Sequence, residues 1–299
     1  MTRPPRPAAG LALALAALSA ACSGPDFPIG LYGVERPSQV QKLRDAGFDR
    51  LHAAAPSPEL TRAAGRAGLR VYSHAHALSD PGGALASYAV DGEAVMVDWF
   101  PVPERPLEST GEQVRLTVAD AVGKPVWAVI QAMNRADYPA LRGKKKPLGR
   151  FPNMFEIRFM SYDAILAGAA GLWYFSNAGL DDRPELWFAL SEVSRGMGKM
   201  GPILSRGRPI PLPFDAPAGG LRARAWSYHG RDYVVMANRT KDRLWRAPAA
   251  ILERSWRPLF EVRRDPRELL KKHGDAYYLK PYQVLVLESR LSLARLLGR

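Results

Sequence analysis

Short apolar runs alternate with amphipathic stretches from residue 29 to about residue 200 of the chain. An apolar run of about four to eight residues is typical of a buried strand, whereas apolar positions at a spacing of roughly 3.6 residues are typical of a helix. The pattern predicts seven strands, at residues 29–34, 48–54, 69–74, 85–90, 94–98, 126–131 and 171–175. Because strands and helices alternate along the chain, a parallel sheet is expected.

Helices are predicted between these strands by local start and stop signals. Ser38 is a candidate N-cap for a helix through Ala46, and Gly47 follows as a C-terminal stop. A second helix covers residues 59–67 and ends in the same way at Gly68. Two more helices are predicted, at residues 154–167, where Phe155, Phe159, Tyr162 and Leu166 form an apolar side, and at residues 184–197.

The segment between His76 and Asp98 is short for the helical crossovers that parallel strands require. Moreover, only seven strands are predicted, and a complete (β/α)8 barrel has one more. The sequence therefore predicts an α/β fold with a TIM-type (β/α) barrel. This barrel is either trimmed in the segment before Asp98 or contains one element that the pattern misassigns.

The pattern changes after Gly201. Four prolines between residues 209 and 217 indicate a linker or an irregular edge. Strand-like runs follow at residues 221–228, 233–237, 256–262 and 276–287, and His229-Gly230 indicates a hairpin turn between the first two. These features predict a barrel domain at residues 29–205, a small antiparallel β-sandwich domain at residues 206–289 and a tail at residues 290–299.

The first 21 residues have the three parts of a secretory signal. Arg3 and Arg6 form a basic start, residues 11–18 are an uninterrupted run of Leu and Ala, and small residues precede Cys22. The apolar run is shorter than the ~20 residues that a transmembrane helix needs. Cys22 is the only cysteine, so no disulfide can form within the chain.

The end of this segment resembles the lipobox of bacterial lipoproteins, with its leucine one position early. The resemblance implies a signal peptide at residues 1–21, a lipid anchor on Cys22 that holds the chain at a membrane, and a tether at residues 22–28. Ser23 after the cysteine resembles the sorting signal for the outer membrane, with the chain on the periplasmic side of the cell envelope. An ordinary signal peptide in which the cysteine occurs by chance is the alternative.

The chain is strongly basic, with a formal net charge of +13 at pH 7. Loss of two arginines with the signal peptide would lower this charge to +11. Such an excess favours a polyanionic partner. Because export argues against nucleic acid, anionic lipid head groups and acidic polysaccharides remain. Arg142 and residues 144–146 form a basic loop that would contact such a partner or stay solvated, and an arginine-rich surface without a partner is the alternative.

Three segments resemble late strands, and the helix before one of them, in barrels of the glycoside-hydrolase superfamily. They are Val-Asp-Trp-Phe-Pro-Val at residues 97–102, Lys-Pro-Val-Trp-Ala-Val-Ile-Gln at residues 124–131, and residues 158–176 with Arg-Phe-Met-Ser-Tyr and Gly-Leu-Trp-Tyr-Phe-Ser. The resemblance covers residues 27–205. It implies a (β/α)8 barrel followed by a β-sandwich, and a protein that hydrolyses or binds a polysaccharide or oligosaccharide.

Glycoside cleavage uses two carboxyl groups, about 5–5.5 Å apart in retaining enzymes and about 6.5–9.5 Å apart in inverting ones. Barrel enzymes carry such groups at the carboxyl ends of their strands. Asp98 is the strongest candidate, because it ends an apolar strand just before Trp99. We expect Asp98 to act with Glu93 or Asp91. The other acidic candidates are Glu35, Asp181 and Asp182.

One departure from the superfamily pattern favours another function. A strand of the related barrels often ends in Asp-Glu-Pro, whereas the matching residues here are Asp91-Gly92-Glu93. Gly92 thus occupies the position of the expected acid, and Glu93 replaces it only if the loop is reshaped. The alternative is a barrel that has lost catalysis and serves as a glycan-binding or scaffolding lipoprotein.

Aromatic rings pack against the C–H groups of sugars, and amide groups bind sugar hydroxyls. On this basis the substrate-binding candidates are Tyr72, His74, Trp99, Gln131, Tyr174 and Asn177, although the aromatic residues would serve equally to fill the barrel wall. No cofactor, metal or nucleic acid is expected. A metal-dependent hydrolase is a weaker alternative, with His74 and His76 on one strand face and Asp98 or Asp91 as the third ligand.

Overall fold

The computed structural model describes residues 27–73, 86–90 (backbone only), 94–138, 149–176, 182–215, 220–253, 255–262 and 265–289. Its first sheet contains seven strands. In chain order they are β1 (Ile29–Leu31), β2 (Arg50–His52), β3 (Arg70–Tyr72), β4 (Ala86–Val90), β5 (Ala94–Trp99), β6 (Val126–Gln131) and β7 (Gly171–Phe175). All seven predicted strands are confirmed, although the first three are shorter than the sequence indicates.

The seven strands lie side by side in the order β3-β2-β1-β7-β6-β5-β4. Six of them are parallel, whereas β4 pairs antiparallel with β5, with Val90 opposite Ala94. A tight connection between β4 and β5 explains why the chain before Asp98 is too short for helical crossovers. The expectation of parallel strands throughout is therefore wrong at β4. In the described part of the chain no ladder joins β3 to β4, so the sheet is not closed into a barrel.

The sheet is nevertheless strongly curved. Strands β3 and β6 are four positions apart in the sheet, which corresponds to about 19 Å in a flat sheet. The rings of Tyr72 on β3 and Trp127 on β6 have centroids only 6.3 Å apart. Likewise, the Tyr32 hydroxyl after β1 lies 3.6 Å from the sulfur of Met96 on β5. The concave side, called here the interior face, thus curves around a packed centre, consistent with a TIM-type architecture.

Among the described residues, five α-helices cover the opposite side of the sheet, called here the helix-facing side. They are α1 (Ser38–Asp45), α2 (Pro58–Ala67), α3 (Ser109–Asp120), α4 (Met154–Ala167) and α5 (Pro184–Arg206). The stops at Gly47 and Gly68 are confirmed, because both glycines have a positive φ. Ser38 is not the N-cap of α1, since Pro37 holds that position and makes no side-chain cap. The sequence missed α3, and α5 runs nine residues beyond its predicted end at residue 197.

Helix α4 has the bounds that the sequence predicts. Asn153 and Glu156 form a reciprocal capping box at its start, and Gly168 ends it in a left-handed conformation. The assignment of Phe155 to its apolar side is wrong, because this side chain is 73% exposed whereas Phe159 is fully buried. Both the first sheet and the C-terminal part of the chain contact α4, so it is buried on more than one side.

Two antiparallel sheets follow α5 in the described part of the chain. The larger has the order β12-β15-β10-β9-β8 and the smaller the order β11-β14-β13. The strands are β8 (Arg208–Ile210), β9 (Leu221–Tyr228), β10 (Arg231–Asn238), β11 (Trp245–Arg246), β12 (Trp256–Pro258), β13 (Lys271–His273), β14 (Ala276–Leu279) and β15 (Val284–Ser289). The hairpin at His229-Gly230 is confirmed, since both residues have positive φ as a type I′ turn requires. The predicted run at residues 276–287 is divided, because Tyr282 also has a positive φ.

Asp163 joins the helices to the larger antiparallel sheet. This residue of α4 is buried, and its Oδ1 accepts hydrogen bonds from Arg222 at 3.2 Å and Arg239 at 2.8 Å. Its Oδ2 accepts from the Gly111 amide at 3.0 Å. Burial raises the pKa of the Asp163 carboxyl to about 6, against the opposite effect of the two arginines. The two parts of the fold are thus connected by a desolvated ionic cluster.

Candidate functional site

Two buried tryptophan rings fill the centre of the interior face. Trp127 on β6 and Trp173 on β7 are both buried, with ring centroids 6.3 Å apart. Each lies opposite a glycine on the next strand, Gly171 for Trp127 and Gly30 for Trp173. A Cβ atom at either glycine would overlap the tryptophan ring. The rings therefore fill the curved sheet only because their partners lack side chains.

A cavity of about 610 Å³ opens above these rings, at the carboxyl ends of β1, β2 and β7. We call it the mouth cavity. The residues that matter for its chemistry are Tyr32, Glu35, His52, Tyr138, Phe175 and Asp182. Its position agrees with the rule that parallel α/β barrels place their functional groups at this end.

Aromatic rings form one wall of the mouth cavity. Tyr32 contacts both His52 and Phe175, with ring centroids 4.6 Å and 5.4 Å away. Phe175 also contacts Tyr138 at 5.4 Å and Phe100 at 5.4 Å. Such clustered ring surfaces suit the C–H faces of a sugar.

Two buried hydroxyl groups beside these rings have no hydrogen-bond partner among the described residues. They belong to Tyr138 and Ser176, which both line the mouth cavity. Burial also raises the pKa of the Tyr138 hydroxyl, which therefore stays a donor at neutral pH. Buried polar groups in proteins are nearly always satisfied, so these two hydroxyls at the edge of the cavity are candidates to bind a polar group of a ligand.

Several described carboxylates follow strands at this end of the sheet, among them Glu35, Asp98 and Asp182. Glu35 and Asp182 line the mouth cavity and are exposed to solvent. Asp98 is on the interior face of β5, because it alternates with the buried Met96, and is only 8% exposed. Asp137, whose charge also raises the pKa of Tyr138, and Glu104, which pairs with Arg135 at 3.0 Å, lie in the loops after β6 and β5.

Asp91 and Glu93 lie outside the described residues. The residues that flank them, Val90 and Ala94, are paired with each other at the amino end of β5. Asp98 follows Ala94 by four residues, which corresponds to about 13 Å along a strand. The structure therefore does not bring the flanks of Asp91 and Glu93 to the end of β5 where Asp98 lies.

Gln131 serves a different purpose from the one predicted. Its side chain is fully buried and binds the loop after β5. The Val102 amide donates to its Oε1 at 2.8 Å, and its Nε2 donates to the carbonyls of Val102 at 2.9 Å and Met133 at 3.1 Å. Both donors and the acceptor of the amide are thus occupied by backbone. Gln131 positions the loop, and its complete burial keeps it out of contact with a ligand in the mouth cavity.

Trp99 and Tyr174 do not reach the mouth cavity. Side chains alternate along a strand, and Tyr174 stands between two residues of the interior face, so it points to the helix-facing side. Its buried hydroxyl lies 3.1 Å from Ser161 on α4. Trp99 also lies on the helix-facing side, where its Nε1 donates to Ser109 at 2.8 Å and Arg105 stacks on its ring at 4.2 Å.

Tyr72 lies on the interior face, but its side chain points toward the amino end of the sheet and away from the mouth cavity. Its hydroxyl accepts a hydrogen bond at 3.3 Å from Arg50, the first residue of β2, and its ring meets Trp173 edge-on at 5.2 Å. It therefore contributes to the floor beneath the mouth cavity. The other predicted substrate-binding residues, His74 and Asn177, and the lipidation candidate Cys22 lie outside the described residues.

The sequence missed the aromatic residues Tyr32 and His52. Both fell inside predicted strands, at residues 29–34 and 48–54, whereas the strands end at Leu31 and His52. A shorter assignment would have placed both residues at strand ends, the position that identifies candidate site residues in a barrel.

Comparison with known proteins identifies the fold. No family model matches the chain, and no curated protein matches its sequence. Among solved structures, a glycoside hydrolase family 5 protein from Bacteroides vulgatus matches with a TM-score of 0.53 and 12% identity, over 90% of this chain and 90% of that one. A second glycoside hydrolase matches with a TM-score of 0.53 and 11% identity, over 90% of this chain and 93% of that one. The chain therefore has a glycoside-hydrolase-like α/β fold.

Proposed function

We propose that this protein hydrolyses or binds a polysaccharide or oligosaccharide in the mouth cavity. The observation that carries the proposal is the pair of orphan hydroxyls, on Tyr138 and Ser176, beside a wall of aromatic rings. A sugar supplies both the C–H faces that such rings bind and the hydroxyls that would satisfy the two buried groups. The fold, which is that of glycoside hydrolases, agrees with a carbohydrate ligand.

If the protein is an enzyme, Asp98 is one of its two carboxylates. One carboxyl group protonates the leaving oxygen, and the other attacks the sugar or activates water. Glu35 and Asp182 are candidates for the second role, because both line the mouth cavity. Glu93 and Asp91, which the sequence favours, also remain candidates for the second carboxylate and are tested together with Glu35 and Asp182.

A glycan-binding protein without catalysis is the second candidate function. It is favoured by the pairing of Val90 with Ala94, which places the flanks of Asp91 and Glu93 about 13 Å along the strand from Asp98. Gly92, at the position of the expected acid in the Asp91-Gly92-Glu93 segment, also favours it. In this case the aromatic wall would hold the glycan and no bond would break.

A panel of soluble and insoluble polysaccharides separates the two candidates. Binding is measured by calorimetry and hydrolysis by the release of reducing ends. For an enzyme, Asp98→Asn and one of Glu35→Gln, Asp182→Asn, Glu93→Gln or Asp91→Asn abolish hydrolysis without loss of the folded state, whereas the surface variant Glu185→Gln retains it. Binding without hydrolysis in the unmodified protein establishes the second candidate, and neither binding nor hydrolysis contradicts both.

The proposal places the protein in the bacterial cell envelope, with a lipid on Cys22 and the outer membrane as its site. Its support is the signal-like pattern of residues 1–21. No helix in the described part of the chain is long and apolar enough to cross a membrane. Metabolic labelling with a radioactive fatty acid tests the anchor: the label is expected on the full chain and not on Cys22→Ser, and an equal label on both contradicts it.

A further inference from the structure

A second cavity, of about 630 Å³, lies at the opposite end of the parallel sheet. We call it the amino-end cavity, because Arg50 and Arg70 at the starts of β2 and β3 line it. A third guanidinium reaches it from Arg224 on β9. None of the described residues that line this cavity is acidic. A concave site with three positive charges and no negative one attracts an anion.

Only one of these arginines has a carboxylate partner. Arg50 forms an ion pair with Asp49 at 2.7 Å, and the other oxygen of Asp49 accepts from the Ile29 amide at 2.7 Å. Arg70 and Arg224 form no ion pair with any residue that the structure describes. Partial burial lowers the pKa of the Arg224 guanidinium, and no carboxylate compensates for it. Among the described residues, the cavity thus holds two cations without a carboxylate partner.

At the two helix ends beside the cavity, three terminal carbonyls are paired with backbone amides. At the end of α4, the carbonyls of Ala164 and Ile165 accept from the amides of Ala169 and Gly168, both at 3.0 Å. At the end of α5, the Gly207 amide donates to the Ile203 carbonyl at 2.8 Å. Arg70 and Arg224 are exposed, so their guanidinium groups are accessible to an anionic ligand from outside the fold.

The position of this cavity identifies the source of the anion. Phe27, which lines it, follows Cys22 by five residues, and five extended residues span at most about 18 Å. An anchor on Cys22 would therefore hold the amino-end cavity close to the bilayer surface. At that surface the negative charges are the phosphate groups of anionic phospholipids.

We propose that the amino-end cavity binds the phosphate head group of an anionic phospholipid through Arg70 and Arg224, with Arg50 at its wall. The inference rests on the proposed lipid anchor for its orientation. The sheet would then stand with its amino end on the membrane, and the mouth cavity would face away from it toward soluble or wall-bound glycan.

Vesicle co-sedimentation tests this site apart from both lipidation and glycan binding. The chain used is residues 23–299, which lack Cys22 and retain every residue that the structure describes. Vesicles of phosphatidylcholine alone are compared with vesicles that contain one quarter phosphatidylglycerol. The double variant Arg70→Gln/Arg224→Gln removes two charges from the cavity. The control Lys271→Gln/Lys272→Gln removes two exposed charges from β13.

Binding to the phosphatidylglycerol vesicles is expected to weaken about 25-fold in the arginine variant, because each basic residue at a membrane surface contributes about five-fold. The lysine control is expected to weaken it less than two-fold, and Arg70→Lys/Arg224→Lys, which retains both charges, is expected to bind like the original chain. Equal losses in the arginine variant and the lysine control would overturn the site in favour of general charge attraction. If inorganic phosphate raises the melting temperature of the protein but the protein does not bind the vesicles, the ligand of the amino-end cavity is a free phosphate and the lipid proposal is overturned.

Discussion

Trp173 lies directly opposite Gly30 on the neighbouring strand, and its ring occupies the space where a Cβ atom of residue 30 would be. Trp127 and Gly171 repeat the same relationship one strand further along the sheet. The paired glycines let two large rings enter the interior face at native packing density. The floor of the mouth cavity therefore depends on residues that have no side chain.

Gly30→Ala is expected to destabilise the protein by about 1–3 kcal/mol, because an added methyl group overpacks the ring of Trp173. Gly65→Ala is the matched control. This residue lies within α2, where an added Cβ would meet no atom within 4 Å, so the substitution is expected to stabilise the helix by about 0.5–1 kcal/mol. Urea unfolding followed by tryptophan fluorescence measures both changes. Equal stability of the two variants would contradict the packing described here.

Asp163 is expected to make stability fall as the pH rises from about 4 to about 6. Its folded-state pKa is about 6 against an ordinary value of 3.8, so in this window the folded protein keeps a proton that the unfolded chain releases. The contribution of Asp163 to the free energy of unfolding is fully present well below pH 3.8, and it is lost as the pH rises through about 6. The difference of about two pKa units corresponds to about 3 kcal/mol.

The measurement is the free energy of unfolding of the original protein minus that of Asp163→Asn, between pH 4 and pH 7. This difference is expected to be largest near pH 4 and about 2.5 kcal/mol smaller at pH 7. Asp120→Asn, at the exposed end of α3, controls for the loss of one carboxyl group. A difference that grows with pH would mean that Arg222 and Arg239 lower the pKa of Asp163 by more than burial raises it.

Tyr138→Phe and Ser176→Ala are expected to affect stability and glycan binding in opposite directions. Each removes a buried hydroxyl without a described partner, so the free protein should keep or slightly raise its melting temperature. A bound sugar would lose one hydrogen bond, and its affinity should fall about five- to ten-fold, or about 1–1.4 kcal/mol. Differential scanning calorimetry and titration calorimetry measure the two effects. A lower melting temperature with unchanged affinity would show that these hydroxyls are structural.

Gln131→Met is expected to lower stability by about 2–4 kcal/mol, because it leaves the buried amide and carbonyl of Val102 without a partner. A residue that only contacts a sugar would change affinity and leave the melting temperature intact. Gln41→Met is the control, since Gln41 bonds Asp45 on the exposed side of α1. An unchanged melting temperature in Gln131→Met would restore the sequence-based assignment of Gln131 to the substrate.

Local sequence signals were sufficient to predict the bounds of several helices and strands. The helix at Met154–Ala167 and the strands Val126–Gln131 and Gly171–Phe175 have the bounds that the sequence predicts. Asn153 and Gly168 mark the helix ends chemically, and both strands are apolar runs bounded by turn residues. At β1, β2 and β3 the apolar runs continue past the end of the ladder, so the predicted strands are too long and conceal Tyr32 and His52.

The site was predicted less well because both faces of a parallel strand are buried. Trp173 and Tyr174 are adjacent and almost completely inaccessible, and one faces the interior while the other faces α4. Hydrophobic pattern alone does not distinguish the two faces in such a strand. For this reason the sequence placed Tyr174 and Trp99 at the mouth, whereas the structure places Tyr32 and Phe175 there.

The sequence by itself determined the strand and helix content, the change to antiparallel structure after Gly201, and the concentration of aromatic and polar residues near strand ends. These are properties of local periodicity and turn chemistry. Only the tertiary structure decided that β4 pairs antiparallel with β5, which side of each strand faces inward, and which side chains meet in the mouth cavity. Those outcomes depend on contacts between residues far apart in the chain, and curvature brings these residues together only after the sheet has formed.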